Sequence, residues 1–259
     1  MQKHAIVLNP HDDDGIIAIG GTILQLLAKG WEIKYIQMTD GRHGSSSLSP
    51  EETILIREEE ILKELESLKI LDYVNFEIED GTLNKLLAEQ ENKLVRDITK
   101  EIVDYKPAAI FIPAESEGHP DHKATYAIGH TAYLQSKLPY LCEARYVVWQ
   151  FPFKENVTSY FEKILLVDIT QQLKRKKDLI KLHASQEAEV RGGYSSIAEH
   201  ANRLLARQYF NYPPNKEVDA AEIIAITHFN AGAKLLEDAL KCHDFTRLHH
   251  GRKSENIEA

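Results

Sequence analysis

The stretch Ala5-Ile6-Val7-Leu8-Asn9-Pro10-His11-Asp12-Asp13-Asp14-Gly15 decides how the chain folds. Its first four residues are apolar, which predicts a short strand. One histidine and three aspartates follow the strand directly, and helical periodicity then extends from Gly20 to Leu27. A strand, a polar turn and a helix in this order are typical of the start of a βαβ unit.

The same alternation continues along the chain. Runs rich in β-branched or aromatic residues predict further strands at residues 33–38, 73–78, 109–112, 146–149 and 164–167. Segments with helical periodicity lie between them at residues 51–68, 86–103 and 122–134. This order predicts an α/β fold: a single Rossmann-like domain with a mostly parallel sheet flanked by helices.

The remainder of the chain has mainly helical patterns, which we expect to form a C-terminal helical covering on the same core. They lie at residues 169–188, 195–207 and 228–241. The predicted domain therefore covers residues 1–250, with a Rossmann-like core over about 1–170, a helical part over about 171–245 and a flexible tail at 251–259. Two Gly-, Ser- or Pro-containing stretches, 39–50 and 208–215, predict mobile loops.

Composition narrows the possible functions. The chain has 259 residues, 43% hydrophobic and 27% charged, as expected for a soluble globular protein. Its formal charge of -9 argues against nonspecific binding of nucleic acid or anionic membranes. The two cysteines form no disulfide framework or zinc-ribbon spacing, and no apolar run is long enough for membrane insertion. We expect a cytoplasmic protein.

The acidic turn after the first strand indicates a metal site. Three neighbouring carboxylates and the imidazole of His11 are costly to crowd together unless a cation lies among them. The alternative is a helix N-cap, where aspartate is also favoured. A cap needs only one aspartate, so the metal is the preferred interpretation.

A second polar edge follows the strand at 109–112 and contains His119-Pro120-Asp121-His122. Ligands bind open parallel sheets at the carboxyl ends of the strands, so we expect the two edges to meet. Two histidines and one carboxylate with an open position are typical of catalytic zinc, and the same set suits iron(II). Further carboxylate and imidazole groups beside such a trio favour hydrolysis.

One motif is misleading. Gly15 to Thr22 resembles the phosphate-binding loop GxxxxGK[ST], but Gly21 occupies the lysine position and three aspartates precede the segment. We interpret these glycines as allowing close packing of the first helix.

Taken together, these motifs resemble a known family. His11-Asp12-Asp13-Asp14 with Gly20-Gly21-Thr22 resembles the His-Pro-Asp-Asp opening and Gly-Gly-Thr continuation of the LmbE-like, or PIG-L, N-acetylglucosaminyl deacetylases. His119-Pro120-Asp121-His122 is similar to the second metal motif of that family. Further matches, all in the family's order within residues 4–186, are Met38-Thr39-Asp40-Gly41, Ile56-Arg57-Glu58-Glu59-Glu60, Asp80-Gly81, Val167-Asp168-Ile169-Thr170, Lys177 and His183-Ala184-Ser185-Gln186.

The resemblance implies a zinc-dependent hydrolase that removes an N-acetyl group from an amino sugar and releases acetate. It implies that His11, Asp14 and His122 are the metal ligands and that Asp13 is the base. His119 would stabilise the oxyanion or protonate the leaving amine. Zinc is the implied metal, with iron(II) or another divalent ion as the alternative.

The resemblance also implies the substrate contacts. Arg57 and Asp80 match positions that hold sugar hydroxyls, and the substrate would be a small molecule or oligosaccharide containing N-acetylglucosamine. The 38–41 and 57–60 motifs are most similar to the diacetylchitobiose deacetylase branch, members of which form oligomers, so a homo-oligomer is expected.

Two features stay open at this stage. Asp12 stands where the family usually has proline, and we expect its carboxylate to point away from the metal. His183 either supports the site or caps a helix. Two alternatives to deacetylation also stay open: a metal-dependent hydrolase of another amide or ester, and a non-catalytic sugar-binding protein with this fold.

Overall fold

The computed structural model describes residues 1–148, 161–210 and 218–244. Within these residues the strands are β1 (His4–Asn9), β2 (Glu32–Thr39), β3 (Asp72–Ile78), β4 (Ala109–Pro113), β5 (Cys142–Tyr146), β6 (Lys163–Asp168), β7 (Ala221–Ile226) and β8 (Cys242–Asp244). The helices are α1 (Asp14–Ala28), α2 (Pro50–Leu68), α3 (Leu83–Tyr105), α4 (Pro120–Ser136), α5 (Leu173–Ile180), α6 (Ala184–Glu189), α7 (Tyr194–Phe210) and α8 (Ala231–Ala239).

The strands form one mixed sheet in the order β3-β2-β1-β4-β5-β7-β6-β8. The five strands from β3 to β5 in this order are parallel, whereas β7 is antiparallel to both of its neighbours. Helices cover both faces, and β1 shows the consequence in its sequence. Ala5 and Val7 belong to the hydrophobic cluster on one face, and Ile6 and Leu8 to the cluster on the other. A strand buried on both faces must be apolar throughout, as the opening stretch is.

The mostly parallel α/β fold predicted from the sequence is confirmed, with changes at the C-terminal side. The predicted strand at 146–149 is replaced by β5, which ends at Tyr146, and Trp149 lies outside the described residues. The predicted helix at 169–188 is divided into α5 and α6. The prediction of a helical covering alone missed β7 and β8, which complete the sheet. Residues 211–215 of the second predicted loop and the tail at 251–259 also lie outside the described residues.

The order of the sheet determines where a ligand can bind. β1 lies between β2 and β4: the chain adds β2 and β3 on one side of β1 and then returns to add β4 on the other side. Such a switch point leaves a crevice at the carboxyl ends of the two central strands. The acidic turn follows β1 and the His119–His122 segment follows β4, and the fold therefore brings both to one crevice.

A β-bulge shapes the neighbouring edge. The register between β2 and β3 shifts near Thr39, and Glu77 has a left-handed φ of 52°. A bulge bends its strand and redirects the residues that follow. Beyond it, the backbone N–H of Asp80 donates to Asp40 Oδ1 at 3.1 Å, which directs the Asp80 carboxylate towards the crevice.

Helix α1 is broken at Ile19, whose φ of -129° and ψ of 24° are not helical. The glycines after the break pack closely: a Cβ on Gly21 would overlap the Ile169 side chain, and one on Gly20 would lie 3.0 Å from Lys176 Cγ. This agrees with the predicted packing role, although the neighbours are α5 and the segment before it. Among the helices in the described residues, none combines the length and the apolar character needed to cross a membrane.

Candidate functional site

A cavity of about 300 Å³ opens at the carboxyl ends of β1 and β4. All seven site residues predicted from the sequence line it, so the structure brings them together. The lining residues are His11, Asp13, Asp14, Ile17, His43, Gly44, Arg57, Asp80, Gly81, His119, His122, Gln186 and Tyr194.

The predicted metal ligands meet at one carboxylate oxygen. Asp14 Oδ2 lies 3.0 Å from His11 Nδ1 and 3.2 Å from His122 Nε2. Two ligand bonds of about 2.0–2.1 Å at a tetrahedral angle place donor atoms roughly 3.3 Å apart. Both distances are close to this value, so the donor types and the position of Asp14 between the two histidines suit a divalent metal such as zinc.

The outer contacts of the two histidines fit the same interpretation. His11 Nε2 lies 3.1 Å from Asp80 Oδ1, whereas His122 Nδ1 faces Glu117 Oε2 at 3.6 Å, beyond hydrogen-bond distance. Histidines that bind metals usually present the other ring nitrogen to a carboxylate, which orients the ring. Two overlapping groups also bring donor atoms within 4.8 Å of one another: His11 with His119 and His122, and His11 with Asp80, His119 and Asp121.

The aspartates of the acidic turn do not act as helix caps. Asp13 occupies the N-cap position of α1, yet its side chain makes no capping hydrogen bond. The Asp14 carboxylate instead accepts the backbone N–H of His11 at 2.9 Å. The capping alternative is therefore not what the structure shows, and both carboxylates face the cavity.

Burial and mutual charge set the protonation of this cluster. Burial raises the pKa of Asp13 to about 6, and the charge of Asp14 acts in the same direction. Burial would lower the pKa of His122, but the neighbouring Asp14 outweighs it and raises that pKa to about 9. The pKa of His119 lies below its usual range because of burial and the charges of His11 and His122.

His119 is the N-cap residue of α4, and its Nδ1 accepts the backbone N–H of Asp121 at 3.3 Å. This acceptor role fixes the proton of a neutral ring on Nε2. Its ring centroid lies 4.9 Å from that of His11. An imidazole N–H donor is therefore held beside the candidate metal ligands.

The two predicted substrate residues have protein partners. Asp80 Oδ1 faces His11, and Asp80 Oδ2 accepts the backbone N–H of His43 at 3.2 Å. Arg57 is 4% exposed and donates from Nε to Asp12 Oδ1 at 2.7 Å and from Nη2 to Asp13 Oδ1 at 3.1 Å. Arg57 therefore contacts the acidic turn from the side of α2.

Helix α2 turns a charged face inwards. Glu60 and Glu64 are buried beside Arg57, whereas Leu55 and Leu62 on the same helix are 65% and 49% exposed. The same helix also buries Ile61, Leu65 and Leu68 in the hydrophobic core, so the inward charges lie beside an ordinary apolar stripe. The inward face exists because other elements supply partners for these charges.

The His183-Ala184-Ser185-Gln186 motif supplies several of these partners. His183 Nε2 lies 2.7 Å from Glu64 Oε2, and Ser185 donates to Glu60 from both its backbone N–H and its hydroxyl at 2.7 Å. Gln186 Nε2 donates to the carbonyl of Gly44 at 3.0 Å. His183 makes no side-chain cap of α6, and its ring contacts Glu64 of α2 instead.

The loop at 39–50 borders the cavity through His43 and Gly44. Its Ser45 hydroxyl and Ser46 backbone N–H both donate to Glu189, at 2.9 and 3.0 Å. The site residues predicted from the sequence do not include His43, which is exposed at the rim of the cavity. Its position shortly after the end of β2 is the sequence signal that could have placed it at the site.

Comparison with known proteins agrees with this geometry. Residues 6–133 match the model of the PIG-L family, described as GlcNAc-PI de-N-acetylase. The resemblance predicted from the sequence is therefore confirmed over these residues.

Individual relatives are consistent with that assignment. The chain is 28% identical over 199 residues to diacetylchitobiose deacetylase of Thermococcus kodakarensis, covering 72% of this chain and 71% of the relative. The solved structure of N,N'-diacetylchitobiose deacetylase from Pyrococcus horikoshii superposes with a TM-score of 0.69 at 25% identity, covering 90% and 88% of the two chains. A 4-carboxy-2-hydroxymuconate hydratase from Pseudomonas putida also reaches 0.69, at 15% identity with 89% and 98% coverage, so the fold is shared with another reaction.

Proposed function

We propose that this protein is a zinc-dependent hydrolase that removes the N-acetyl group from a small molecule or oligosaccharide containing N-acetylglucosamine. The products are acetate and a free amine. The observation that carries the proposal is the meeting of His11, Asp14 and His122 beside Asp13 and His119 at one cavity. The PIG-L match and the similarity to diacetylchitobiose deacetylases supply the reaction class.

In this proposal His11, Asp14 and His122 hold the metal. Zinc in such a site lowers the pKa of a coordinated water and polarises a carbonyl group. Iron(II) suits two histidines and one carboxylate as well, so metal analysis has to precede assignment.

Asp13 and His119 have complementary roles. A general base works best with a pKa near the operating pH, and burial beside Asp14 raises the pKa of Asp13 to about 6. Asp13 would take the proton of the attacking water. His119 would donate a hydrogen bond from Nε2 to the oxygen that becomes negative, because its Nδ1 already accepts from the backbone of α4.

The volume of the cavity indicates the size of the substrate group that it can hold. About 300 Å³ is at the small end of ligand pockets, which favours recognition of a single sugar ring at the reacting end. Arg57 and Asp80 lie on its wall, where they would contact hydroxyl groups of that ring.

The second candidate is a metal-dependent hydrolase of another amide or ester, since the same groups would serve it. The hydratase with this fold shows that the architecture alone does not select a reaction. A non-catalytic sugar-binding protein is less favoured, because the PIG-L match and the similar diacetylchitobiose deacetylases both point to a hydrolytic reaction.

The test is release of acetate by purified, zinc-loaded protein from N-acetylglucosamine, diacetylchitobiose and N-acetylglucosaminyl malate. Asp13→Asn is the matched variant, with bound metal measured in both proteins. Release from one sugar that the variant abolishes would support the proposal. Bound metal without acetate release from any of the three would favour the second candidate. Size-exclusion chromatography of the same preparation tests the predicted homo-oligomer, while the cytoplasmic location and the single domain over 1–250 stay predictions.

A further inference from the structure

Asp12 lies between two candidate metal ligands in sequence but is oriented away from them. Its side chain is fully buried, and Oδ1 accepts hydrogen bonds from both Nε and Nη2 of Arg57. The family that the sequence resembles usually has proline at this position, and a proline side chain has no hydrogen-bond acceptor. The carboxylate therefore adds a partner for Arg57 that a proline could not provide.

The other oxygen of Asp12 is also enclosed by protein. His183 Nδ1 lies 3.4 Å from Asp12 Oδ2 without a hydrogen bond between them, and His183 Nε2 lies 2.7 Å from Glu64 Oε2. The Tyr35 hydroxyl donates to Glu64 Oε1 at 3.2 Å. The hydrogen bonds that orient Asp12 are therefore those from Arg57.

The guanidinium of Arg57 is planar, so fixing two of its nitrogens fixes the third. Asp12 binds Nε and Nη2, and the remaining Nη1 lies against Gly44 at the wall of the cavity. Nη2 also reaches Asp13 Oδ1 at 3.1 Å. Without Asp12, Asp13 would be the nearest carboxylate competing for the guanidinium.

We propose that Asp12 is a positioning residue: it fixes the Arg57 guanidinium so that the Nη1 edge faces the substrate and Asp13 is not drawn into a two-donor ion pair. This inference rests on the proposed function, because it assigns Asp12 an effect on substrate turnover through Arg57.

A double-mutant cycle tests the proposal with zinc-loaded protein and the sugar that the acetate assay identifies. Asp12→Asn should lower kcat/KM about ten-fold, the effect of one misplaced charged hydrogen bond. Because Asp12 acts through Arg57, adding Asp12→Asn to Arg57→Gln should cause no further loss. Asp12→Ala repeats the same comparison with a different substitution. The matched control is Glu59→Gln, which replaces an exposed carboxylate on α2 and is expected to keep wild-type activity.

Two results would overturn the proposal. Equal losses in both Arg57 backgrounds would mean that Asp12 acts independently of Arg57. Two metal ions per wild-type chain that fall to one in His183→Gln would mean that Asp12, Glu60 and His183, whose donor atoms lie within 4.8 Å, bind a second ion instead.

Failure of the proposed function gives a different pattern. Wild-type protein that releases no acetate overturns that function first. The anchoring of Arg57 is then decided by urea unfolding of the same four proteins, where a coupling between the two substitutions supports it and its absence overturns it.

Discussion

Helix α1 contributes to two clusters of buried charged residues, one beside the cavity and one enclosed by the protein. At its start, Asp14 lies among His11, His122 and Asp13 at the wall of a cavity. At its internal break, Glu222 from β7 accepts the backbone N–H groups of Gly21 and Thr22 at 2.8 and 2.7 Å. The first cluster borders open space, whereas the second is sealed within the fold.

The partners in the sealed cluster are complete. Glu222 also accepts from the Thr22 hydroxyl and from Lys176 Nζ, and Lys176 donates to Asn202 as well. Glu222 and Lys176 are both fully buried. Glu222 thus occupies the place that a phosphate takes in a true P-loop, at the N–H groups of a helical turn. The glycine segment that resembles a P-loop therefore binds a carboxylate of the protein itself.

This difference distinguishes residues that stabilise the fold from residues that form the candidate site. A buried charge whose hydrogen-bonding groups all have protein partners stabilises one arrangement of the chain. Crowded carboxylates and imidazoles beside a cavity instead leave donor atoms for a ligand or a reaction. Substitutions in the two clusters should therefore affect different measurements.

The largest effect on the site is expected from Asp14→Ala. The substitution removes the oxygen that lies within 3.2 Å of both histidines. We expect metal affinity to fall by more than about 100-fold, the upper end for partners that only orient a ligand. Elemental analysis after dialysis measures this, with circular dichroism as the check on folding. A folded variant that retains one ion per chain would exclude Asp14 as a ligand.

Asp13→Asn should separate chemistry from metal binding. The amide keeps the size of the side chain but cannot accept a proton, so kcat should fall about 10²- to 10⁴-fold. Bound metal should stay at the wild-type level, because Asp13 contacts Arg57 rather than the two histidines. Loss of metal along with activity would instead place Asp13 among the ligands, and retention of activity would leave the reaction without its proposed base.

Lys176→Met tests the sealed cluster. Breaking a buried ion pair from one side leaves an uncompensated charge and typically costs about 3–5 kcal/mol. We expect urea unfolding to show a loss of this size, while the folded variant retains wild-type kcat and metal content. The double variant Lys176→Met with Glu222→Gln should recover part of the stability. Lost turnover in a fully folded Lys176→Met protein would contradict the division between scaffold and site.

The position of the site could be predicted from the sequence because it depends on local order. His11 to Asp14 follow the apolar strand β1 immediately, and His119 and His122 follow β4 closely. The carboxyl ends of parallel strands meet at one edge, so two short motifs far apart in sequence indicated one cavity.

The inward charges of α2 could not be predicted in the same way. Periodicity places apolar residues towards the core, yet Leu55 and Leu62 lie outside while Arg57 and Glu64 are buried. The reason is in distant residues: His183 and Ser185 supply the partners of Glu64 and Glu60, and Asp12 that of Arg57.

Strand β7 escaped prediction for a similar reason. It pairs with β5 and β6, which both precede it by more than 50 residues, and it carries Glu222 in an otherwise apolar run. A charged residue near the start of a short run weakens the strand pattern. Only the Lys176 and α1 partners show why this charge is buried.

The smallest expected effect concerns Gly44, at the open side of the site. A Cβ at this position would overlap Arg57 Nη1 and lie 2.9 Å from Gln186 Nε2. Because Asp12 holds the guanidinium, we expect Gly44→Ala to displace the loop rather than Arg57 and to raise KM by about three- to ten-fold, with kcat nearly unchanged.

Gly118→Ala is the matched control for this prediction, since a Cβ on Gly118 would meet no atom of the described residues within 4 Å. Steady-state kinetics of the two alanine variants isolates crowding of the arginine from the general effect of replacing a glycine. Equal changes in both variants would mean that backbone stiffness near the cavity, and not the packing of Gly44 on Arg57, sets the affinity for substrate. A drop in kcat confined to Gly44→Ala would instead mean that the Arg57 guanidinium moves and displaces Asp13. The packing of Gly44 at the rim of the cavity would then affect the reacting groups as well as substrate binding.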